Sequence, residues 1–124
     1  MARCLYRRSV PNSVYKKKSE KIGISQVKHI FLSRGAQLVG EEVKLSGVEF
    51  DLIFKRKKVL YFVEVKCHRY KGSGFERLIQ VEQILRQRRV FERFDLADYS
   101  KHHILFHVDP VTQKTSSWSL DSML

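Results

Sequence analysis

A chain of 124 residues has room for one domain with a real core, and 43% hydrophobic against 30% charged residues is the balance of a soluble globular protein. No stretch has the length or apolarity of a membrane span or signal peptide, and two cysteines, Cys4 and Cys67, make no disulfide framework. The expected setting is therefore intracellular, in the cytoplasm or with the nucleoid, without a membrane partner. The 24 Lys and Arg against 13 Asp and Glu leave a formal charge of +11, an excess that points to a polyanion, most often nucleic acid.

That charge is concentrated. Residues 1–22 hold seven basic residues and one acidic, residues 55–71 hold the same, and the remainder is close to neutral. Residues 1–18 combine Arg7-Arg8, Pro11 and the run Lys16, Lys17 and Lys18 without sustained periodicity, which reads as a basic arm able to grip phosphates. Residues 19–124 read as a single domain. From Ser19 to Arg34 the apolar residues Ile24, Val27, Ile30 and Phe31 recur at helical spacing, with Ser19 to cap the start and Gly35 to end the helix. Gln37 to Leu45 is a predicted strand in which Gly40 permits a bend or bulge, and Glu41 and Glu42 read as solvent-facing or as minor candidates for the site.

The next stretch, Gly47 to Lys66, reads as two strands joined by a basic tip, Lys55 to Lys58. Lys57 and Lys58 of the tip are candidate phosphate contacts near the acidic residues of the hairpin. Beyond Lys66, Arg69, Tyr70 and Lys71 with Gly72-Ser73-Gly74 form a loop suited to lying along a phosphate backbone, with Arg69 and Lys71 as its contacts. Phe75 to Phe94 carries Leu78, Val81, Ile84, Leu85 and Phe91 on a helical stripe, with Arg86, Arg88, Arg89 and Arg93 outside it and Gln80, Gln83 and Gln87 along one flank. Asp95 to Ser100 reads as a loop and His103 to Val108 as a strand. Asp109-Pro110 is a turn, and Trp118 to Leu124 a last strand or short helix. Cys67-His68 and His102-His103 lack zinc-site spacing. The order αβββαβ predicts an α/β architecture, a mixed central sheet flanked by helices.

Within the hairpin, residues two apart in a strand share a face, so Glu64 and Lys66 project together at the end of an apolar run. A sheet interior opposes ionised groups unless they are paired or bind metal. One resolution is an ordinary ion pair between Glu64 and Lys66, with Asp51 solvated on a half-exposed strand. The other is chemical: Asp51 and Glu64 from neighbouring strands, with the main-chain carbonyl of Val65, supply the hard oxygen ligands that Mg²⁺ prefers, while Lys66 holds or activates a water.

Asp51, twelve intervening residues and then Glu64-Val65-Lys66 resemble the D…ExK signature of the restriction-endonuclease-like, or PD-(D/E)XK, nucleases. The likeness is to the small Holliday-junction-resolvase-like members, whose central motif reads roughly GEIDLI…FVEVK against GVEFDLIF…YFVEVK here, and it spans residues 20 to 108 in order of elements. The resemblance implies a restriction-endonuclease-like αβββαβ core and a Mg²⁺-dependent endonuclease, with Mn²⁺ as substitute. It further implies structured or branched DNA as substrate and a possible homodimer. In the resembled enzymes a Glu on the first helix completes the metal site. The matching position here falls near Ile24, so Glu20, one turn earlier, is the substitute. A Gln or Lys from the second helix also approaches the site, which makes Gln83 the candidate. The broken first-helix pattern leaves an alternative, a catalytically impaired nucleic-acid-binding module of the same fold.

Overall fold

The computed structural model describes residues 12–67 and 81–121. Helix α1 spans Asn12–Ser33, followed by strands β1 (Gln37–Leu45), β2 (Val48–Arg56) and β3 (Val59–Cys67). Helix α2 (Val81–Arg93) then leads to β4 (Ser100–Val108) and β5 (Thr115–Ser119). The five strands form one mixed sheet in the order β1-β2-β3-β4-β5. Pairing is antiparallel throughout except between β3 and β4, which run parallel and are joined by the crossover that contains α2. The expected α/β class is therefore the observed one.

Several boundaries differ from the sequence reading. Helix α1 begins at Asn12 rather than Ser19, so Lys16, Lys17 and Lys18 lie within its first turns. Nothing between Asn12 and Ser19 breaks a helix, and that run was read as irregular only for want of an apolar stripe. Strand β4 starts at Ser100, where the N–H of Ser100 donates to the carbonyl of Lys58 at 2.8 Å and extends the parallel ladder. Arg69, Tyr70, Lys71, the glycines after them and the stretch from Phe75 to Gln80 lie outside the described residues.

Alternation along β3 divides its side chains between two cores. Val63 and Val65 join Leu52, Phe54, Phe106, Val108 and Val27 of α1, while Leu60 and Phe62 join Ile53, Phe50 and Phe91 of α2. The two helices thus cover opposite faces of the sheet. On the α1 side Phe31 stacks on Phe54 with ring centroids 4.2 Å apart, and Gly23 lets the helix approach β3 closely: a Cβ there would stand 2.7 Å from that of Cys67. Gly35, at φ 88°, ends α1 with its N–H donating to the carbonyl of Leu32, as its left-handed tolerance allows. On the α2 side Phe62 meets Phe50, Phe91 and Phe94 edge-on at 5.2 to 5.3 Å. The charged ε-amino group of Lys101 caps the carbonyls of Phe91 and Phe94 at the end of α2.

The α2 stripe is rotated from the one read in the sequence. Its buried residues are Ile84, Gln87, Arg88 and Phe91, whereas Val81 is exposed. Arg88, expected outside the stripe, is buried because Asp121 beyond β5 accepts from it at 3.2 Å. A partner from a distant segment overrides local periodicity here.

Candidate functional site

Strand β2 changes character at Asp51. Its ladder with β3 runs from Arg56↔Val59 to Leu52↔Val63 and ends there. Beyond the last pair the N–H of Val65 donates to Oδ2 of Asp51 at 2.8 Å, so a carboxylate takes the hydrogen bond that a backbone carbonyl would otherwise accept. Side-chain alternation also breaks at this point: Phe50 and Ile53 both pack under α2, while Leu52 and Phe54 face α1. Glu42, between the Glu41↔Leu52 and Val43↔Phe50 pairs on the adjoining strand, has φ 48°, uncommon for a residue with a side chain. The strand is distorted on both sides of Asp51, and the distortion turns its carboxyl toward β3.

Glu64 projects from β3 on the α2 face and is almost fully buried. Its Oε2 accepts from Gln83 Nε2 at 2.7 Å and lies 3.2 Å from Lys66 Nζ, while its Oε1 accepts from Gln87 Nε2 at 3.1 Å. Lys66 Nζ also donates to Gln83 Oε1 at 3.2 Å, which closes a ring of Glu64, Gln83 and Lys66. Asp51 sits within hydrogen-bonding reach of Glu64, and its carboxyl is pushed up to about 8. Burial is the main cause, and the negative charge and hydrogen bond of Glu64 add to it. The Val65 N–H and the Lys66 ammonium oppose the rise. At neutral pH the Asp51 carboxyl therefore retains its proton.

A carboxyl raised by burial and by a neighbouring carboxylate is one whose ionised form a divalent cation would favour. Among the described residues no group of three or more His, Cys, Asp or Glu side chains is placed to hold a metal. Two carboxylates with one main-chain carbonyl still fit Mg²⁺, which keeps several of its waters and commonly takes one or two protein carboxylates. Asp51 and Glu64 would be those ligands. Val65, whose carbonyl is the third candidate, holds Asp51 through its N–H.

The structure brings Asp51, Glu64, Val65, Lys66 and Gln83 together. It leaves Glu20 apart: that residue is exposed on α1, the helix that covers the face opposite Glu64, and Ile24 packs against the α1-side core. Lys57 and Lys58 form the turn of the hairpin, with Lys57 at φ 55° and Lys58 six residues from Glu64. At about 3.3 Å per residue that is roughly 20 Å, so the basic tip does not adjoin the carboxylates. It lines instead a separate open cleft of about 510 Å³ with Lys55, Arg56, Gln37 and Tyr99. The amines of Lys58 and Lys55 stand 4.9 and 5.5 Å from the Tyr99 ring centre, and hydrogen bonding from Lys55 pulls the phenol below its usual range.

Two residues at the site were not assigned a role from the sequence. The sequence puts Gln87 on the same helix flank as Gln83 and His103 on a strand, and assigns neither a function. Both are fully buried beneath α2, with His103 Nε2 2.9 Å from Gln87 Oε1. A polar residue four positions after Gln83, one helical turn on, was the available signal. No model of a known protein family matches the chain, and no curated protein matches it either, so the chemistry of Asp51, Glu64 and Lys66 carries the functional reading.

Proposed function

We propose that the chain is a Mg²⁺-dependent DNA endonuclease of the restriction-endonuclease-like class, acting on structured or branched DNA, with Mn²⁺ able to replace Mg²⁺. The observation that carries this reading is the pairing of the Asp51 and Glu64 carboxyls at the end of the β2–β3 ladder, with the Lys66 ammonium 3.2 Å from Glu64. Three antiparallel strands, a helical crossover and a fourth, parallel strand, with helices on opposite faces, support the same class.

In this reading Asp51 and Glu64 hold the cation, assisted by the Val65 carbonyl. The bound ion would polarise the scissile phosphate and stabilise the leaving oxygen. Lys66, fixed by Glu64 and Gln83, orients the attacking water and offsets the charge that develops on the phosphate oxygens. Gln83 keeps Glu64 and Lys66 in register by bonding to both. Water adds to phosphorus, the bond to the leaving oxygen breaks, and the products are a phosphate monoester and a hydroxyl. The tip lysines, Lys57 and Lys58, and the Tyr99 cleft contact the backbone away from the cut, and Lys16, Lys17, Lys18, Arg69 and Lys71 remain phosphate contacts expected from the sequence alone.

The test is cleavage of labelled four-way-junction, flap and linear duplex DNA in Mg²⁺ or Mn²⁺. The intact chain cuts at least one of these, while Glu64→Ala and Lys66→Ala retain binding and lose cutting, by about 10²-fold or more. Binding without cutting by the intact chain in either metal supports the second reading, a catalytically impaired nucleic-acid-binding module. The exposed position of Glu20 and the apolar packing of Ile24 favour that alternative, because α1 then adds no carboxylate.

A further inference from the structure

Gln87 sits where the two carboxylate-bearing strands stop bonding to each other. Its Nε2 donates to the carbonyl of Glu49, two residues before Asp51 on β2, at 3.0 Å, and to Oε1 of Glu64 on β3 at 3.1 Å. The β2–β3 ladder has ended at Leu52↔Val63, so this side chain bridges the strands where no backbone pair does. The orientation of the amide is forced. Both atoms facing Nε2 are acceptors, so Oε1 points the other way and accepts from Nε2–H of His103 at 2.9 Å. That donation leaves Nδ1 of His103 as the lone-pair nitrogen, and Nδ1 is buried without a hydrogen-bond partner among the described residues. The ring is held against Phe91, stacked at 5.3 Å, and edge-on to Phe50 at 5.8 Å.

We infer that Gln87 is a positioning residue that sets the spacing between the Asp51 and Glu64 carboxylates, and with it the size of cation the pair accepts, while His103 pins its amide. The inference rests on the proposed metal site and adds to it the device that determines metal preference. Mg²⁺ binds oxygen at about 2.0–2.1 Å and Ca²⁺ at about 2.3–2.6 Å, so a clamp across the gap favours the smaller ion and its loss relaxes the choice. Gln87 acts through the Glu64 carboxylate and the Glu49 carbonyl that it bonds.

The experiment measures Mn²⁺ binding to the full chain by the electron paramagnetic resonance of free Mn²⁺, with Mg²⁺ and Ca²⁺ as competitors. Gln87→Met weakens Mn²⁺ binding by about 10–100-fold, the range for residues that orient metal ligands, and narrows the Mg²⁺ over Ca²⁺ preference. His103→Phe, which keeps the ring stacking, has a smaller effect. The double variant, in which the His103 N–H left unpaired by Gln87→Met is also removed, recovers part of the melting temperature lost by Gln87→Met but not the Mn²⁺ affinity. In cleavage, the kcat deficit of Gln87→Met is recovered at saturating Mn²⁺ while KM for DNA is unchanged. Wild-type affinity in folded Gln87→Met, or recovery of affinity together with stability in the double variant, overturns the inference and leaves the metal site standing. Absence of Mn²⁺ binding in the wild-type chain overturns the metal site itself.

Discussion

The Asp51 carboxyl is the residue whose state changes most with conditions. In the metal-free protein its folded pKa is about 8 against an ordinary value of 3.8. Between those values the folded chain binds a proton that the unfolded chain does not, so stability is greatest at the low end of the window and falls as pH rises toward 8. His103, lowered to about 4 mainly by burial and then by the charge of Arg88, acts in the opposite sense and only below about 6.5. The interval from pH 6.5 to 8 therefore isolates Asp51 from His103. In EDTA, denaturant titrations across it show a loss of about 1–2 kcal/mol, and Asp51→Asn removes that slope. A flat profile in the intact chain would show that Asp51 ionises normally. Addition of Mg²⁺ raises the melting temperature more at pH 8 than at pH 6.5, because the cation replaces a proton that is less tightly held there.

At the scale of elements, the junction of α1 with β3 is the contact most sensitive to a single added carbon. A Cβ at Gly23 would meet the Cys67 Cβ at 2.7 Å and Val65 Cγ1 at 3.1 Å, both anchored on a central strand. Gly23→Ala gains helix propensity of about 1 kcal/mol and loses more to overpacking. The expected net result is destabilisation by about 1–2 kcal/mol, read from the denaturation midpoint, and a neutral or stabilising outcome would mean that α1 can lift off the sheet at no cost. α2 differs because its buried face is partly polar. Gln87, Arg88 and the ring of His103 fill space that the sequence pattern assigned to apolar side chains, and each is matched by a partner from another segment. That is why the stripe read from the sequence is rotated. Polar partners that come from Glu64, Asp121 and β4 have no signature within the helix itself.

For the molecule as a whole, the basic hairpin tip stands apart from the candidate carboxylates. The hairpin tip, with Lys55, Arg56, Lys57, Lys58 and the Tyr99 ring around one cleft, turns at Lys58, roughly 20 Å along β3 from Glu64, or about six base pairs of duplex rise. The Lys57→Ala/Lys58→Ala double variant lowers the slope of log affinity against log salt by about 1–2 on duplex DNA. Its Mn²⁺ affinity is unchanged because the tip is remote from the carboxylates. An unaltered slope would remove the tip from the nucleic-acid surface. No helix among the described residues is long and apolar enough to cross a membrane.

Much of this was legible in the chain itself. Strand β1 falls on Gln37–Leu45 as its alternation and Gly40 indicated, with the register shift between Leu38 and Gly40, and the hairpin follows from its β-branched and aromatic runs. Asp51, Glu64 and Lys66 stood out because charged groups in an apolar strand need a reason to be there. Those features are local, set by neighbours two to four residues apart. The tertiary structure alone decided that β3 and β4 run parallel and that α1 covers the face away from Glu64. It also decided that the basic tip stands at the far end of the hairpin and that Gln87 and His103 complete the site. Each of these depends on which distant segments meet, and pairing energies between residues dozens of positions apart leave no period in the sequence to read.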